Sequence, residues 1–571
     1  MEEAKSTGWD EEVDLLVIGA GAAGMTTALV ASLEGLNVLL CEKSDMVGGI
    51  TSTSAGTIWV PGTSQSEKAG VPDRVEDARR YLDSVIGNAG DSALREAFLA
   101  SGREAIDDLE ARSEVKFAAA AAHPDYLGNH PGAAYGGRAL GALPFDGRLL
   151  GGDFDRIRPP KPEFLVLGGM MVAKADIPFL LAPFASLKAL IHIGKMLLRH
   201  AIDRLHFRRG TRFVMGNALV GRLLFSLRRQ KVPLRFNTAL KELIREEGRV
   251  LGALLQTPDG SHRIAARRGV VLATGGIGWN QALRKELFPE AARAHSLAPS
   301  DNAGEGLEAA LKAGGTLERA LESAGLWMPC SILKRPDGST SVYPHIVLDR
   351  AKPGLIAVNS AGRRFVNEAN SYHDFCMGML RSEADVPSVP AHLICDAAFL
   401  RKYGIGLIHP GARNLKSFIA SGYLIEAPTL SGLAQTIGVD PKGLEHTVDR
   451  YNTQAAQGLD EEFGRGSTDL NRINGDPEIR PNPCVRPIGP GPFYAVAVYP
   501  TDLASSAGLR IDVAGRVLSN SDNHPIHGLY ACGNDAASIF NGTYPGPGTT
   551  IGPALVFAWR IATRIARQNA N

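Results

Sequence analysis

The stretch VDLLVIGAGAAG, residues 13–24, decides the fold of this chain. Its first six residues form a short apolar run typical of a buried parallel strand, and Met25 to Leu33 suit a helix. The three glycines have separate uses: Gly19 allows a tight turn, Gly21 lets backbone amides approach a pyrophosphate at the helix N-terminus, and Gly24 permits close packing of helix on strand.

A second strand and an acidic residue extend this motif. Residues 37–41, NVLLC, predict a strand, and Glu42 follows them, about 20 residues after Gly19, where a ribose-binding acid is needed. The order strand, glycines, helix, strand and acid predicts a dinucleotide-binding site of the Rossmann type. The residues expected to form it are Gly19, Gly21, Ala22, Ala23, Gly24 and Glu42.

Further segments favour FAD over NAD. Residues 43–56 form a Gly/Ser/Thr-rich loop whose amides and hydroxyls suit phosphates and a flavin ring. Residues 269–276 and 528–535 are apolar strands that end in glycine turns and resemble the corresponding strands of the glutathione-reductase-type flavoproteins, and there is no second GxGxxG unit with its acid. We therefore expect FAD and no separate NADPH domain. The further cofactor contacts expected are Lys43, Gly49, Thr51, Ser52, Ser54, Ala55, Gly56, Ala239, Thr274, Gly275, Gly276, Gly533, Asn534, Gly548, Thr549 and Ile551.

Length and composition narrow the class of protein. A chain of 571 residues exceeds one compact core, so two or three domains are expected. The net charge of +1 gives no reason to expect nucleic-acid binding. The six scattered cysteines lack metal-binding spacing and fit a reducing, cytoplasmic setting, so no metal is expected. Residues 1–10 lack a secretion signal, and no apolar run reaches the roughly 20 residues needed to span a bilayer.

A second stretch, YPGPG at residues 544–548, indicates chemistry on a carbonyl group. The Tyr544 hydroxyl and the Gly548 amide can converge on one oxygen atom, and two donors there stabilise the enolate that forms when the adjacent carbon loses a proton. The alternative is a Gly/Pro turn before the last helix, with Tyr544 packed beneath it.

The chain resembles the fumarate-reductase-like flavoproteins and, within them, the 3-ketosteroid Δ1-dehydrogenases. The resemblance runs along most of the chain and rests on residues 42–56, 353–368, 492–495 and the C-terminal block with its YxGxG. It implies an α/β fold, in which a Rossmann-like, glutathione-reductase-type FAD-binding domain is interrupted by an α+β catalytic domain. The expected limits are 1–314 and 500–571 for the FAD-binding domain and 315–499 for the catalytic domain.

The resemblance also implies a reaction and its residues. In that family the tyrosine and glycine of YxGxG, here Tyr544 and Gly548, hold the substrate ketone. A tyrosine after an Arg-Phe-x-Asn-Glu run, here Tyr372, acts as the base, and a second tyrosine, here Tyr126 with Tyr135 as the alternative, assists it. Ser371 stands where the family has proline. The implied substrate is a 3-ketosteroid, the implied acceptor is external, such as a quinone, and FAD is expected to be non-covalent.

Other functions remain open. The fumarate-reductase branch has a proton-donating arginine where this chain has Ala351, with Arg350 one residue away, and a histidine where it has Ala504. The cations that a dicarboxylate requires are therefore missing at those positions. A related enzyme acting on a non-steroidal cyclic ketone or a small activated alkene is the alternative, and a flavin-binding protein without turnover is the third hypothesis.

Residues 159–212 fit neither the nucleotide pattern nor the catalytic one. From about 176 to 212, apolar runs are punctuated by lysines and arginines, which predicts a basic amphipathic helix. Such a helix can lie on an anionic membrane surface as a peripheral contact. The alternatives are a helical cap over the substrate channel and a dimer face.

Overall fold

The computed structural model describes residues 8–181, 184–346 and 349–568. The strands, in chain order, are β1 Glu11–Ile18, β2 Val38–Cys41, β3 Thr57–Trp59, β4 Phe117–Ala119, β5 Ala139–Ala142, β6 Phe145–Asp146, β7 Leu165–Val166, β8 Met170–Met171, β9 Arg212–Phe213, β10 Leu234–Arg235, β11 Ala239–Glu246, β12 Arg249–Thr257, β13 Gly260–Leu272, β14 Gly325–Lys334, β15 Thr340–Pro344, β16 Leu355–Val358, β17 Ala391–Asp396, β18 Ile425–Ala427, β19 Phe493–Ser505, β20 Arg516–Leu518 and β21 Pro525–Ala531.

The α-helices connect and cover these strands. They are α1 Ala22–Leu33, α2 Gly49–Thr53, α3 Ser64–Lys68, α4 Val75–Ile86, α5 Ser92–Arg112, α6 Ile177–Leu181, α7 Leu187–His206, α8 Met215–Arg229, α9 Gln281–Leu287, α10 Glu305–Lys312, α11 Tyr372–Glu383, α12 Ala397–Tyr403, α13 Lys416–Ala420, α14 Leu430–Ile437, α15 Pro441–Ala455, α16 Asp469–Asn474 and α17 Ile551–Arg567. Short 3-10 helices occupy Gly147–Arg156, Pro162–Phe164, Lys174–Asp176, Glu290–Ala292 and Gly533–Asp535.

The larger sheet brings together four strand ends that are far apart in the sequence. β2, β1, β13 and β21 run parallel, and their final residues, Ile18, Cys41, Leu272 and Ala531, lie in register as neighbours. The order is β10-β2-β1-β13-β12-β21-β20, with β11 paired to β12. The strands predicted at residues 13–18, 37–41, 269–272 and 528–531 are thus confirmed, together with the Rossmann-like fold. The loops that follow them meet at one edge of the sheet, where ligands of such folds bind.

Helix α1 lies against this sheet because its side chains are small. Residues 22–31 are all buried, and α17 and α8 pack on them. An ideal Cβ at Gly24 would lie 1.8 Å from the Gly19 carbonyl oxygen, so the close approach of helix and strand requires a glycine there.

The second sheet is antiparallel, in the order β15-β14-β19-β17-β16, with β18 paired to β19. Its apolar residues Ile356, Ile394 and Ala495 share a core with α14 and α15. β19 runs from Phe493 to Ser505 and therefore continues through residue 499, the predicted end of the catalytic domain. The antiparallel sheet and its helices confirm the α+β character expected of this part of the chain.

The insertion at residues 159–212 is helical only in part. Short strands β7, β8 and β9 and two 3-10 turns accompany α6 and α7. Among the described residues, no helix has both the length and the hydropathy needed to cross a bilayer.

Candidate active site

A cavity of about 360 Å³ connects the edge of the larger sheet to the antiparallel sheet. One part of its wall comes from the turn after β1 and the loop after β2. Another part comes from Tyr126, Tyr372 and Tyr544, which form one buried cluster with Leu297 and Met328. The volume lies within the usual range for a small-molecule site, about 300–1,000 Å³.

Most of the predicted cofactor residues lie in this wall. They are Gly19, Gly21, Ala22, Ala23, Glu42, Lys43, Gly49, Thr51, Ser54, Ala55, Gly56, Ala239, Thr274, Gly275, Gly533, Asn534, Gly548 and Ile551. Four others lie behind it for local reasons. Gly24 is in the packing of α1, Ser52 faces Gly48, the Gly276 amide donates to Asp535, and the Thr549 hydroxyl donates to the Gly546 carbonyl.

The glycine turn after β1 has the shape that a dinucleotide requires. An ideal Cβ at Gly21 would meet no atom within 4 Å, whereas one at Gly19 would lie 2.3 Å from the Ala273 carbonyl oxygen. Gly21 lines the cavity at the N-terminus of α1, where backbone amides attract phosphate. The turn is therefore crowded on its protein side and open on its cavity side, which fits FAD.

Two carboxylates shape this edge of the sheet. Glu42 accepts the Ala20 amide at 2.9 Å and the Ser44 amide at 3.0 Å, so its orientation is fixed beside the cavity. Asp535, which sequence reasoning missed as a site residue, is fully buried and accepts the Thr274 amide at 2.5 Å. It ties the turn after β13 to the turn after β21, and its position directly after Gly533-Asn534 was the available signal.

The three predicted catalytic tyrosines are brought together. The Tyr126 hydroxyl donates to the Tyr372 hydroxyl at 3.4 Å, and the ring centroids of Tyr372 and Tyr544 are 5.3 Å apart. The Tyr126 and Tyr544 rings stack at 5.8 Å. Tyr135 is 51% exposed and is absent from the wall, so of the two alternatives only Tyr126 reaches the cavity.

The turn at residues 544–548 is held in place from several sides. The Pro545 carbonyl oxygen accepts the Tyr126 amide at 2.9 Å and the Tyr81 hydroxyl at 2.6 Å. Gly548 has a φ of +94°, and a Cβ there would lie 2.4 Å from the Thr57 carbonyl oxygen. Glycine is therefore required at position 548, with its backbone against β3.

A buried carboxylate anchors the loop that carries Tyr126. Asp125 accepts the Trp59 indole N–H at 2.8 Å, the Arg138 guanidinium at 2.6 Å and the Ala134 amide at 3.0 Å. Burial raises the pKa of Asp125, and the Arg138 charge counteracts this effect. Asp125 thus fixes the backbone directly before Tyr126.

Tyr372 is the first residue of α11, and its neighbours explain why serine can precede it. The Ser371 hydroxyl accepts the Asp374 amide and caps the helix, which gives serine a use at this position. His373 accepts the Trp327 amide on Nδ1 at 3.1 Å. Burial lowers the pKa of His373 to about 4, so its ring carries no charge at pH 7.

Burial in the apolar cluster raises the pKa of all three tyrosines. For Tyr372, the neighbouring hydroxyls of Tyr126 and Tyr544 add to the effect of burial. For Tyr544, hydrogen bonds that include one from the Gly548 amide oppose the effect of burial. The resting hydroxyls are therefore protonated at pH 7, and the Gly548 amide lies close to the Tyr544 hydroxyl.

The positions that distinguish fumarate reductases contain no cation facing the cavity. Arg350 is fully buried, donates to the carbonyl oxygens of His345 at 2.8 Å and Glu368 at 2.6 Å, and lies over the Phe375 ring. Ala504 lines the wall. Arg350 therefore supports the backbone before Tyr372 and does not line the cavity.

Comparison with known proteins agrees with this geometry. The family of FAD binding domains matches residues 14–551. The 4-oxocyclohex-2-ene-1-carboxylate 5-dehydrogenase of Sinomonas cyclohexanicum is 38% identical over 97% of this chain and 94% of its own length. The 3-oxosteroid 1-dehydrogenase of Mycolicibacterium smegmatis is 34% identical over 97% of this chain and 97% of its own.

A solved structure gives the same result in three dimensions. It is the 3-ketosteroid Δ1-dehydrogenase of Sterolibacterium denitrificans in complex with 1,4-androstadiene-3,17-dione, with a TM-score of 0.90 and 34% identity over 97% of this chain and 99% of that chain. The chain is therefore an FAD-dependent oxidoreductase that belongs to the 3-ketosteroid Δ1-dehydrogenase family.

Proposed function

We propose that this protein introduces a carbon 1–carbon 2 double bond into the A ring of a 3-ketosteroid. The observation that carries the proposal is the cluster of Tyr126, Tyr372, Tyr544 and the Gly548 amide, in the wall of a cavity that also reaches the dinucleotide turn. These groups supply donors for a ketone and a base for the adjacent carbon within one site.

Each residue has a separate task in this reaction. The Tyr544 hydroxyl and the Gly548 amide donate to the ketone oxygen and stabilise the developing enolate. After its hydroxyl has lost its proton to solvent, the Tyr372 phenolate accepts the proton from the adjacent carbon, and the hydrogen bond from the Tyr126 hydroxyl stabilises that phenolate. FAD, when bound, supplies the acceptor for the hydride that leaves the next carbon. An external acceptor such as a quinone then takes the electrons.

A non-steroidal cyclic ketone is the second candidate substrate. The 38% identical relative is named for 4-oxocyclohex-2-ene-1-carboxylate, a six-membered ring ketone with a carboxylate. The same donors and base would act on that ring, because the chemistry needs only a ketone and two adjacent C–H bonds. The apolar side chains of Leu297, Met328 and Ile346 in the wall favour the steroid.

The test is anaerobic reduction of the flavin. The purified yellow protein is mixed with 4-androstene-3,17-dione, 4-oxocyclohexanecarboxylate or succinate, and flavin absorbance near ~450 nm is followed, because desaturation must place two electrons on the flavin. Bleaching by the steroid with a Δ1 product supports the steroid as substrate. Bleaching by 4-oxocyclohexanecarboxylate alone supports the non-steroidal cyclic ketone instead. Bleaching by succinate alone would contradict both.

We further propose that α7 contacts an anionic membrane surface. The helix exposes a continuous apolar stripe, with Leu198 65% and Leu205 77% exposed. The stripe recurs every three or four residues, so it lies on one helix face. Its large members are Leu187, Leu190, Ile191, Leu197, Leu198, Ile202 and Leu205.

Helix α7 differs from an ordinary surface helix, because two of its four buried residues are polar while its large exposed residues are apolar. His200 and Asp203 face inward, where Asp203 accepts the Thr211 amide at 2.7 Å, while the leucines face outward. Lys188 and Lys195, about two turns apart, are exposed along one edge of the stripe and form no ion pair among the described residues. Apolar side chains flanked by free cations suit an anionic bilayer.

The same leucines could instead meet a second copy of the chain, and vesicles distinguish the two. The variant Leu198→Glu/Leu205→Glu is compared with Leu459→Glu, an exposed leucine outside the insertion. Co-sedimentation with phosphatidylcholine vesicles should require added phosphatidylserine and should fall at least about tenfold only in the double variant. A change in oligomeric state without any vesicle binding would overturn the membrane proposal.

A further inference from the structure

Lys161 stands out in the cavity wall because its charge has no counter-ion. It lies just before the 3-10 turn Pro162–Phe164, its side chain is half-buried, and among the described residues it forms neither an ion pair nor a side-chain hydrogen bond. The other lysine and arginine of the wall, Lys43 and Arg158, pair with Glu305 and Asp301.

The groups around Lys161 do not neutralise it. The Glu163 carboxylate accepts the Ser341 hydroxyl at 2.5 Å; its charge favours the Lys161 ammonium without forming an ion pair with it. Cys330 is fully buried, and burial raises the pKa of its thiol to about 12, so the thiol is uncharged at pH 7. The half-buried Lys161 ammonium is partly removed from water, and this burial lowers its pKa.

The nearby wall of the cavity is apolar. Phe164, Met328, Pro344 and Ile346 line it with Lys161 and offer no acceptor side chain. A desolvated cation in such a wall is costly unless an anion accompanies it, whereas an anion that enters gains a strong charge-assisted hydrogen bond.

We propose that Lys161 binds a carboxylate on the substrate and so selects cyclic ketones that carry an acid group. The inference rests on the proposed function, which places the ketone at Tyr544 and Gly548 and leaves the rest of the substrate along the wall. It deepens that function, since the distance from the ketone to the acid group decides whether a steroid acid or a smaller ring-ketone acid reaches this cation. A neutral ketone of the same shape would leave the ammonium uncompensated.

The experiment compares acids with matched neutral esters. FAD-loaded wild type, Lys161→Met, Lys161→Arg and the exposed-lysine control Lys68→Met are titrated with 4-oxocyclohexanecarboxylate, 3-oxo-4-androstene-17β-carboxylate and the methyl ester of each. Calorimetry gives affinities without turnover, and anaerobic flavin reduction gives the rates. In Lys161→Met the preference for acid over ester should fall about tenfold or more, and Lys161→Arg should restore much of it.

The possible failures are distinguishable. An unchanged preference in Lys161→Met, or a wild type that binds acid and ester equally, would overturn the inference. Equal loss of reduction rate with acid and ester, together with a shifted flavin potential, would also overturn it, because Lys161 would then act on the flavin. If no ketone reduces the wild-type flavin, the proposed function fails, while calorimetry still decides whether Lys161 binds the carboxylate.

Discussion

Tyr372 is the residue on which the proton transfer depends. Its pKa lies above that of free tyrosine because it is buried beside two other hydroxyls, so the phenolate is scarce at pH 7. A base with a raised pKa becomes more effective as pH rises, and its deprotonation is incomplete below about pH 10. The rate should therefore increase with pH across the neutral and alkaline range.

The substitution Tyr372→Phe tests this role. We expect it to retain FAD, to slow flavin reduction by roughly 10²–10⁴-fold and to abolish the pH dependence. Stopped-flow reduction from pH 6 to about pH 10 measures all three effects. Tyr135→Phe, at an exposed tyrosine outside the wall, is the control. If Tyr372→Phe kept the wild-type rate of flavin reduction, Tyr372 would not be the base.

Gly548 allows a second prediction at this scale. Gly548→Ala places a methyl group 2.4 Å from the Thr57 carbonyl oxygen at a φ of +94°, so the turn must move. We expect a loss of at least 1–3 kcal/mol of unfolding free energy and a large loss of activity. Gly141→Ala is the matched control, because Gly141 pairs with Thr57 and has open space around its Cβ. Equal free energies of unfolding for the two variants in denaturant titration would contradict the requirement for glycine at position 548.

At the scale of elements, a buried charge cluster holds the loop between β16 and α11. Arg364 donates to both carboxylate oxygens of Glu368, at 2.8 and 2.7 Å, and to Asp460 at 2.7 Å. Arg465 contacts Glu368 from the other side at 3.2 Å. This cluster fixes the backbone that leads to Tyr372.

Removing one member should leave uncompensated buried charges. Arg364→Met is expected to cost about 3–5 kcal/mol of unfolding free energy, because Glu368 and Asp460 stay buried without it. The neighbouring Arg363 is exposed, so Arg363→Met should change stability by less than about 0.5 kcal/mol. Urea unfolding measures both, and a small effect at position 364 would show that the loop relaxes to admit water.

These elements show what the sequence could reveal and what it could not. The strands and glycines of residues 13–42 were predictable because apolar runs, turns and spacing are local signals. The partners of Arg465 were not, since Glu368 lies about 100 residues away and no local pattern joins them. The amphipathic pattern of α7 predicted a helix, but only the structure showed that its apolar face points outward.

At the scale of the whole molecule, the cofactor joins distant parts of the chain. The cavity wall draws on residues from 18 to 554, and the spacing from Gly19 to Glu42 could locate only the first part of it. The tyrosines were located through the resemblance. No local sequence pattern marked three further wall residues, Lys161, Asp301 and Glu305, because their role depends on tertiary neighbours.

Removal of FAD should therefore destabilise the entire fold. At a free FAD concentration about 100 times its dissociation constant, binding adds about 2.7 kcal/mol to the free energy of unfolding. We expect the melting temperature of the FAD-depleted protein to fall and to recover with added FAD, measured by scanning fluorimetry. A melting temperature that does not change when FAD is added would contradict the inference that segments from across the chain hold the cofactor.

The register of the larger sheet has a consequence for the order of events during synthesis. β1 pairs with β13 and β13 with β21, yet β21 and the Tyr544 turn leave the ribosome long after β1. At about 5–20 residues per second the delay is on the order of a minute. Residues 260–265 of β13 can pair with β12 at once, but Val270, Val271 and Leu272 lack their parallel neighbour until β21 emerges, and until then the nascent chain has no donors for the ketone. Interrupted translation products, rather than finished chains, are therefore the species expected to aggregate or to need chaperones.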